Sequence, residues 1–170
     1  MAGVDLSEAE KTEALGLLTN VLNINTVNPP GNEEALASYI AEYLYGAGAE
    51  IQTVPVAAGR SDIVAAIKGR KSGRALVLNG HLDTVPFGDP ERWQTPPDKA
   101  VISEGKFYGR GASDMKSGLC AALFAFKQTA LEGLTPQGQR TIAGLSTKHI
   151  NVSRKYLPQS HKAAKNEVLV

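Results

Sequence analysis

Ala75-Leu76-Val77-Leu78 is an unbroken apolar run, and Asn79-Gly80-His81-Leu82-Asp83 follows it at once. A strand that is apolar on both faces needs cover on both faces, so this run belongs in the middle of a sheet with other layers packed on it. The polar residues at its C-terminal end then stand at the sheet edge, where a rigid scaffold can hold them in a cleft. Few folds meet both demands, and the flanking patterns narrow the choice further.

Ser7-Glu8-Ala9-Glu10 has the spacing of a capping box, which predicts that a helix starts there. Ala14, Leu18, Val21 and Leu22 form its apolar stripe, and Asn28-Pro29-Pro30-Gly31 stops it. Asn32 is placed to cap a second helix, with Leu36, Ile40, Tyr43 and Leu44 on one face and an end near Gly46-Ala47-Gly48. Ile51 to Val56 and Asp62 to Lys68 read as strands joined by Ala58-Gly59-Arg60-Ser61. Short turns at Gly59 and Gly73 predict that part of the sheet is antiparallel.

A long segment with Trp93, Pro96 and Pro97 reads as a loop, and residues 100–108 read as a hairpin turning at Glu104-Gly105-Lys106. A third helix is expected from Ser113 or Asp114 to about Glu132, with Gly133 able to end it. Leu119, Leu123, Phe126 and Ala130 share one face, while Ala121, Ala122 and Ala125 fill much of the rest, so it should be largely buried. Helices alternating with strands give an α/β fold, a mixed sheet flanked by helices. The 170 residues suffice for one such domain.

With 42% hydrophobic and 21% charged residues, and no apolar run long enough to span a bilayer, the composition is that of an ordinary globular chain and no membrane partner is expected. The first residues lack the basic start and apolar centre of a secretory signal, so the expected location is cytoplasmic. Cys120 lies within an apolar helical pattern and is expected to be a packed thiol without a catalytic role. Residues 139–170 carry Arg140, Lys148, Arg154, Lys155, Lys162 and Lys165 against the single acid Glu167. Six scattered charges of this kind are expected to form a solvated face rather than a nucleic-acid site.

In an extended segment residues i and i+2 point the same way, so His81 and Asp83 can converge, His81 as a metal ligand and Asp83 as the group that orients its ring. Asp114 stands where a loop enters a helix, and its carboxylate can bridge two metal ions roughly 3.5–4 Å apart. Spacing alone leaves blander alternatives open: a surface ion pair for His81, and a helix cap for Asp114. Gly109, Gly111 and Gly118 permit close backbone approach, but the lysine-serine ending of a phosphate loop is missing.

Two stretches carry a stronger signal together. Gly80-His81-Leu82-Asp83-Thr84-Val85-Pro86, the spaced Trp93 and Pro97, and Tyr108-Gly109-Arg110-Gly111-Ala112-Ser113-Asp114-Met115-Lys116-Ser117-Gly118 closely resemble the metallopeptidase family of acetylornithine deacetylase, succinyl-diaminopimelate desuccinylase and aminoacylase. Val27-Asn28-Pro29-Pro30-Gly31-Asn32-Glu33 looks like that family's N-terminal segment, and the resemblance covers about residues 8–135. It implies a zinc-exopeptidase-like catalytic domain that hydrolyses linear amide bonds in small N-acyl amino acids or peptides. It implies two zinc ions, with cobalt as the alternative metal, and leaves a homo-oligomer open. His81 would bind one zinc, Asp83 would orient His81, and Asp114 would bridge both ions, with a cis bond from Asp114 to Met115.

The resemblance fails at one place. Where the family has an apolar strand ending in two glutamates, one a general base and one a ligand, this chain has Thr141-Ile142-Ala143-Gly144-Leu145-Ser146-Thr147 followed by Lys148-His149. A lysine ammonium has no lone pair and repels a dication, and His149 stands in a basic, polar context expected to be exposed. Residues 1–138 therefore read as the N-terminal part of the catalytic domain, and 139–170 as a tail from a truncated or frame-shifted gene, or a diverged strand and helix. The chain alone is expected to be inactive. The alternative is a non-catalytic remnant that binds a partner.

Overall fold

The computed structural model describes residues 5–69, 76–132, 140–145 and 168–169. Helix α1 (Glu8–Asn23) starts as expected: Ser7 Oγ accepts from the Glu10 amide, and Glu10 reaches back to the Ser7 amide at 2.7 Å. Helix α2 (Glu33–Leu44) follows Asn32, but that side chain makes no capping bond and instead donates to the Asn25 carbonyl at 3.5 Å. Strands β1 (Glu50–Ala57) and β2 (Arg60–Ile67) form the antiparallel hairpin expected around Gly59, whose φ of +71° suits a residue without a Cβ.

Strand β3 (Leu76–His81) does not pair with β2. Strand β6 (Arg140–Leu145) lies between them, antiparallel to β2 and parallel to β3, and β7 (Val168–Leu169) adds to the far side of β3. The order β1-β2-β6-β3-β7 makes a mixed sheet with β3 in its interior. Gly73 and Ala75 lie outside the described residues, as does Gly133. Strands β4 (Val101–Ser103) and β5 (Lys106–Tyr108) form the separate hairpin read from the sequence.

Helix α3 (Ser117–Leu131) begins later than expected. Residues Ala112–Lys116 make a wide turn in which Asp114 (φ −130°, ψ 100°) and Met115 (φ −132°, ψ 28°) are not helical. Leu119, Leu123 and Phe126 are buried as anticipated, but Ala121 and Ala125 face solvent, so α3 is amphipathic rather than wrapped by protein. The cause is the shape of the core. Leu17, Val21, Leu36, Ile40 and Leu123 pack with Ile63, Ala65 and Ile67, alternate residues of one β2 face, into a single cluster on the helical side of the sheet. Within β3, Val77 and Gly80 are buried whereas Leu76 and Leu78 are half-covered and Asn79 is exposed. Cys120 is buried in this cluster, and burial pushes its thiol up to about 12, which leaves it a packing group.

One carboxylate clasps all three helices. Glu13 of α1 accepts from Lys127 of α3 at 2.9 Å and from the Tyr43 hydroxyl of α2 at 3.0 Å, while Lys127 Nζ sits 4.1 Å from the Tyr43 ring centre. The Lys127 hydrogen bond, opposed by partial burial and helped by Tyr43, holds the Glu13 carboxyl below its ordinary value of 4.5. A carboxylate depressed by folding stabilises the native state above its unfolded pKa and loses that contribution as pH falls through the folded value. Glu13→Gln is therefore expected to lower the urea midpoint at pH 7 by less than about 1 kcal/mol equivalent, as suits a partly exposed pair. The difference from the parent should shrink steadily below pH 4.5.

Candidate metal centre

His81 is the last residue of β3, so the strand aims its ring out of the sheet edge. Ring Nδ1 lies 2.9 Å from the Asp83 carbonyl oxygen and 3.4 Å from Asp83 Oδ1. A carbonyl oxygen only accepts, so Nδ1 carries the proton and a neutral ring has its lone pair on Nε2. That Nε2 stands 2.9 Å from Asp114 Oδ1, an acceptor facing an acceptor, and the contact requires a positive particle between them. Without metal it is a proton. Burial opposes protonation of His81, but the Asp114 hydrogen bond, the Asp83 carbonyl and both carboxylate charges outweigh it and raise the ring above 6.5.

Two stretches separated by 33 residues thus converge on one point, with His81 partly covered and the Asp114 side chain 88% exposed. Asp83 is buried beside them, and its Oδ2 accepts from Asn28 Nδ2 at 2.9 Å. Asn28 is set by the backbone: residues 26–28 run alongside 82–84, with Thr84 N donating to Thr26 O at 2.9 Å and Asn28 N to Thr84 O at 2.8 Å. The bonds Asn28–Pro29, Pro29–Pro30 and Asp114–Met115 are cis, the last as the resemblance implies. Met115 turns back under the strand, its sulfur accepting from the His81 amide at 3.4 Å, and its methyl group lies 3.1 Å from where a Cβ on Gly80 would stand.

A cleft of about 620 Å³ opens in front of His81 and Asp114, walled by Trp93, Phe107, Tyr108 and Arg110. Arg110 donates to the Pro86 and Phe87 carbonyls at 2.9 and 3.0 Å and lies over the Trp93 ring at 4.8 Å. Trp93 Nε1 also donates to Phe87, at 2.9 Å. The loop after Asp83 is therefore pinned to the opposite wall, which gives the cleft a fixed width.

An imidazole nitrogen and a carboxylate oxygen are donors suited to zinc or a similar divalent ion. Their number does not fill a zinc shell, which takes four donors or three and a water. Among the described residues no group of three or more His, Cys, Asp or Glu side chains is arranged to hold a metal. Strand β6 ends with Leu145 paired opposite His81, beside the place where further donors would be useful. Lys148 and His149 follow in sequence and lie outside the described residues.

Residues 77–146 match the family model described as Peptidase family M20/M25/M40. This part of the chain belongs to that family. An N-formyl-4-amino-5-aminomethyl-2-methylpyrimidine deformylase of Halalkalibacterium halodurans is 37% identical over 123 residues, covering 71% of this chain and 29% of the relative. A succinyl-diaminopimelate desuccinylase of Hydrogenovibrio crunogenus is 36% identical over 118 residues, covering 69% and 30%. Among solved structures, an M20 family metallo-carboxypeptidase from Sulfolobus solfataricus superposes with a TM-score of 0.70 at 25% identity, covering 81% of this chain and 31% of that one. The M20 sequence here spans less than a third of the length of these relatives.

Several residues that shape this M20 site went unrecognised in the sequence. In the sequence Asn28 reads as a helix stop and as part of the family-like segment Val27 to Glu33, Arg60 as part of a turn, and Lys116 and Arg110 as members of a motif, none of them with a role at the site. Lys116 is 2% exposed, a charged residue opening an apolar helix, and that mismatch was the available signal.

Proposed function

We propose that this chain carries part of the dinuclear zinc centre of an amide-bond hydrolase acting on N-acyl amino acids or small peptides in the cytoplasm. The observation that supports it most is the 2.9 Å approach of His81 Nε2 to Asp114 Oδ1, with Nδ1 already committed to Asp83. Names of the relatives agree in kind, since a deformylase and a desuccinylase both remove an acyl group from an amine. When bound, zinc would bring a bound water toward neutral pKa and polarise the scissile carbonyl. His81 and Asp114 would supply ligand atoms, Asp83 would keep the ring in the tautomer that binds, and Asn28 would hold Asp83. The Trp93 and Phe107 walls would seat the substrate beside them.

A general base is the part these residues lack. From Gly133 to Asn166 the sequence holds no Asp or Glu, so no carboxylate directly follows β6 to take a proton from the attacking water. Amine release from N-acetylornithine or N-succinyl-diaminopimelate by the 170 residues alone is expected to stay at the level of a His81→Ala variant. Turnover that the variant abolishes would contradict this, and would call for a base elsewhere in the cleft.

A further inference from the structure

We propose that Lys116 is a positioning residue for the metal centre, fixing the backbone that carries Asp114 to the C-terminal end of α1. The inference rests on reading His81 and Asp114 as metal ligands.

Asp114 has almost no packing of its own. Its side chain is 88% exposed and its hydrogen bond is to His81, so its place is decided by the turn Ala112–Lys116 beneath it. That turn is tied at both ends. At the start, Gly111 adopts φ +88° in a spot where a Cβ would meet Thr84 Cγ2 at 2.8 Å and Lys116 Cδ at 3.1 Å. At the finish, the Lys116 amide donates to the Gly111 carbonyl at 2.9 Å, and Ser117 Oγ donates to the Ala112 carbonyl.

The Lys116 side chain then runs into the protein, 2% exposed, and its ammonium donates to the Val21 carbonyl at 3.0 Å and the Ile24 carbonyl at 2.6 Å. These carbonyls lie at the end of α1, where the last turn has no basic residue of its own. Helix C-termini leave carbonyls unpaired and carry partial negative charge, so a cation there is favoured on both counts. Lys116 supplies it from 92 and 95 residues away.

The same stretch of chain holds the other half of the site. Two residues past Ile24, Thr26 donates from Oγ1 to the Leu82 carbonyl at 2.7 Å, and Asn28 holds Asp83. The end of α1 is thus a common base: Thr26 and Asn28 set the His81 and Asp83 side, and Lys116 sets the Asp114 side. Outer groups that orient ligands are worth about 10–100-fold in metal affinity, and Lys116 acts at one remove in that manner.

The test is calorimetric titration of zinc chloride into the full chain, its Lys116→Met and Lys116→Gln variants, and Glu13→Gln as a destabilised control outside the site. Lys116→Met is expected to bind about 10–100-fold more weakly while Glu13→Gln keeps the parent affinity, with Lys116→Gln between them because its amide can still donate. A folded Lys116→Met chain with affinity within about twofold of the parent would overturn the inference, given the outer-ligand range. Amide exchange in the unaltered protein gives a reading that needs no variant. Zinc should slow the Lys116 amide more than the Ile40 amide in α2, and equal slowing would also overturn it. Absence of zinc heat from the parent would overturn the metal reading and this inference together, whereas binding that ignores Lys116 overturns the inference alone.

Discussion

Replacing Arg60 by alanine should lower the unfolding free energy by about 3–5 kcal/mol, because it strands a buried carboxylate. Glu33 is fully buried, and the guanidinium grips it with two bonds, Nε to Oε2 at 2.9 Å and Nη2 to Oε1 at 2.5 Å. The Glu33 hydrogen bond, outweighing burial, raises Arg60 further above its already high ordinary value, with the charges of Glu33, Asp83 and Asp62 adding to it. The pair also meets the loop before α2: a Cβ on Gly31 would stand 2.7 Å from Glu33 Oε2 and 2.8 Å from Arg60 Nε, so Gly31 lies directly on it. In a chain of this size the loss corresponds to a melting temperature lower by roughly 10 °C. Chemical denaturation would measure it. A Glu33→Met, Arg60→Met double variant should recover most of the loss, since apolar groups of similar volume can replace a buried pair at little cost. A double variant as unstable as Arg60→Ala would mean that the guanidinium acts through packing rather than through charge.

This pair also shows where reading the chain stops. The capping box at Ser7 and Glu10, the Gly59 hairpin and the strand ending in His81 depend on neighbours within a few residues, and their patterns could be read directly. His81 and Asp114 were paired by their motifs, and the structure brings them to 2.9 Å. Contacts chosen across the chain left no such pattern. The resemblance sets Thr141 to Thr147 where the family has a strand, but nothing in the sequence says that β6 enters between β2 and β3. A lysine at a helix start reads as solvated until the helix that needs its charge, 95 residues earlier, is packed against it. The late start of α3 has the same origin, since the turn at Asp114 follows the demands of the site rather than helix propensity.

Zinc titration of the full chain beside His81→Ala and Asp114→Asn tests the central claim most directly. His81 and Asp114 each contribute a donor atom, so losing either should weaken binding by more than the roughly 10–100-fold typical of an outer partner. The ring is held above its usual pKa, so zinc must displace a proton. The sign follows: affinity should fall as pH drops through the raised His81 value, and the measured heat should vary with the ionisation enthalpy of the buffer. Saturable zinc binding by the parent, loss of it in both variants, and a release of protons that grows as the pH is lowered are the expected results. Equal zinc heats from the parent, His81→Ala and Asp114→Asn would contradict the claim.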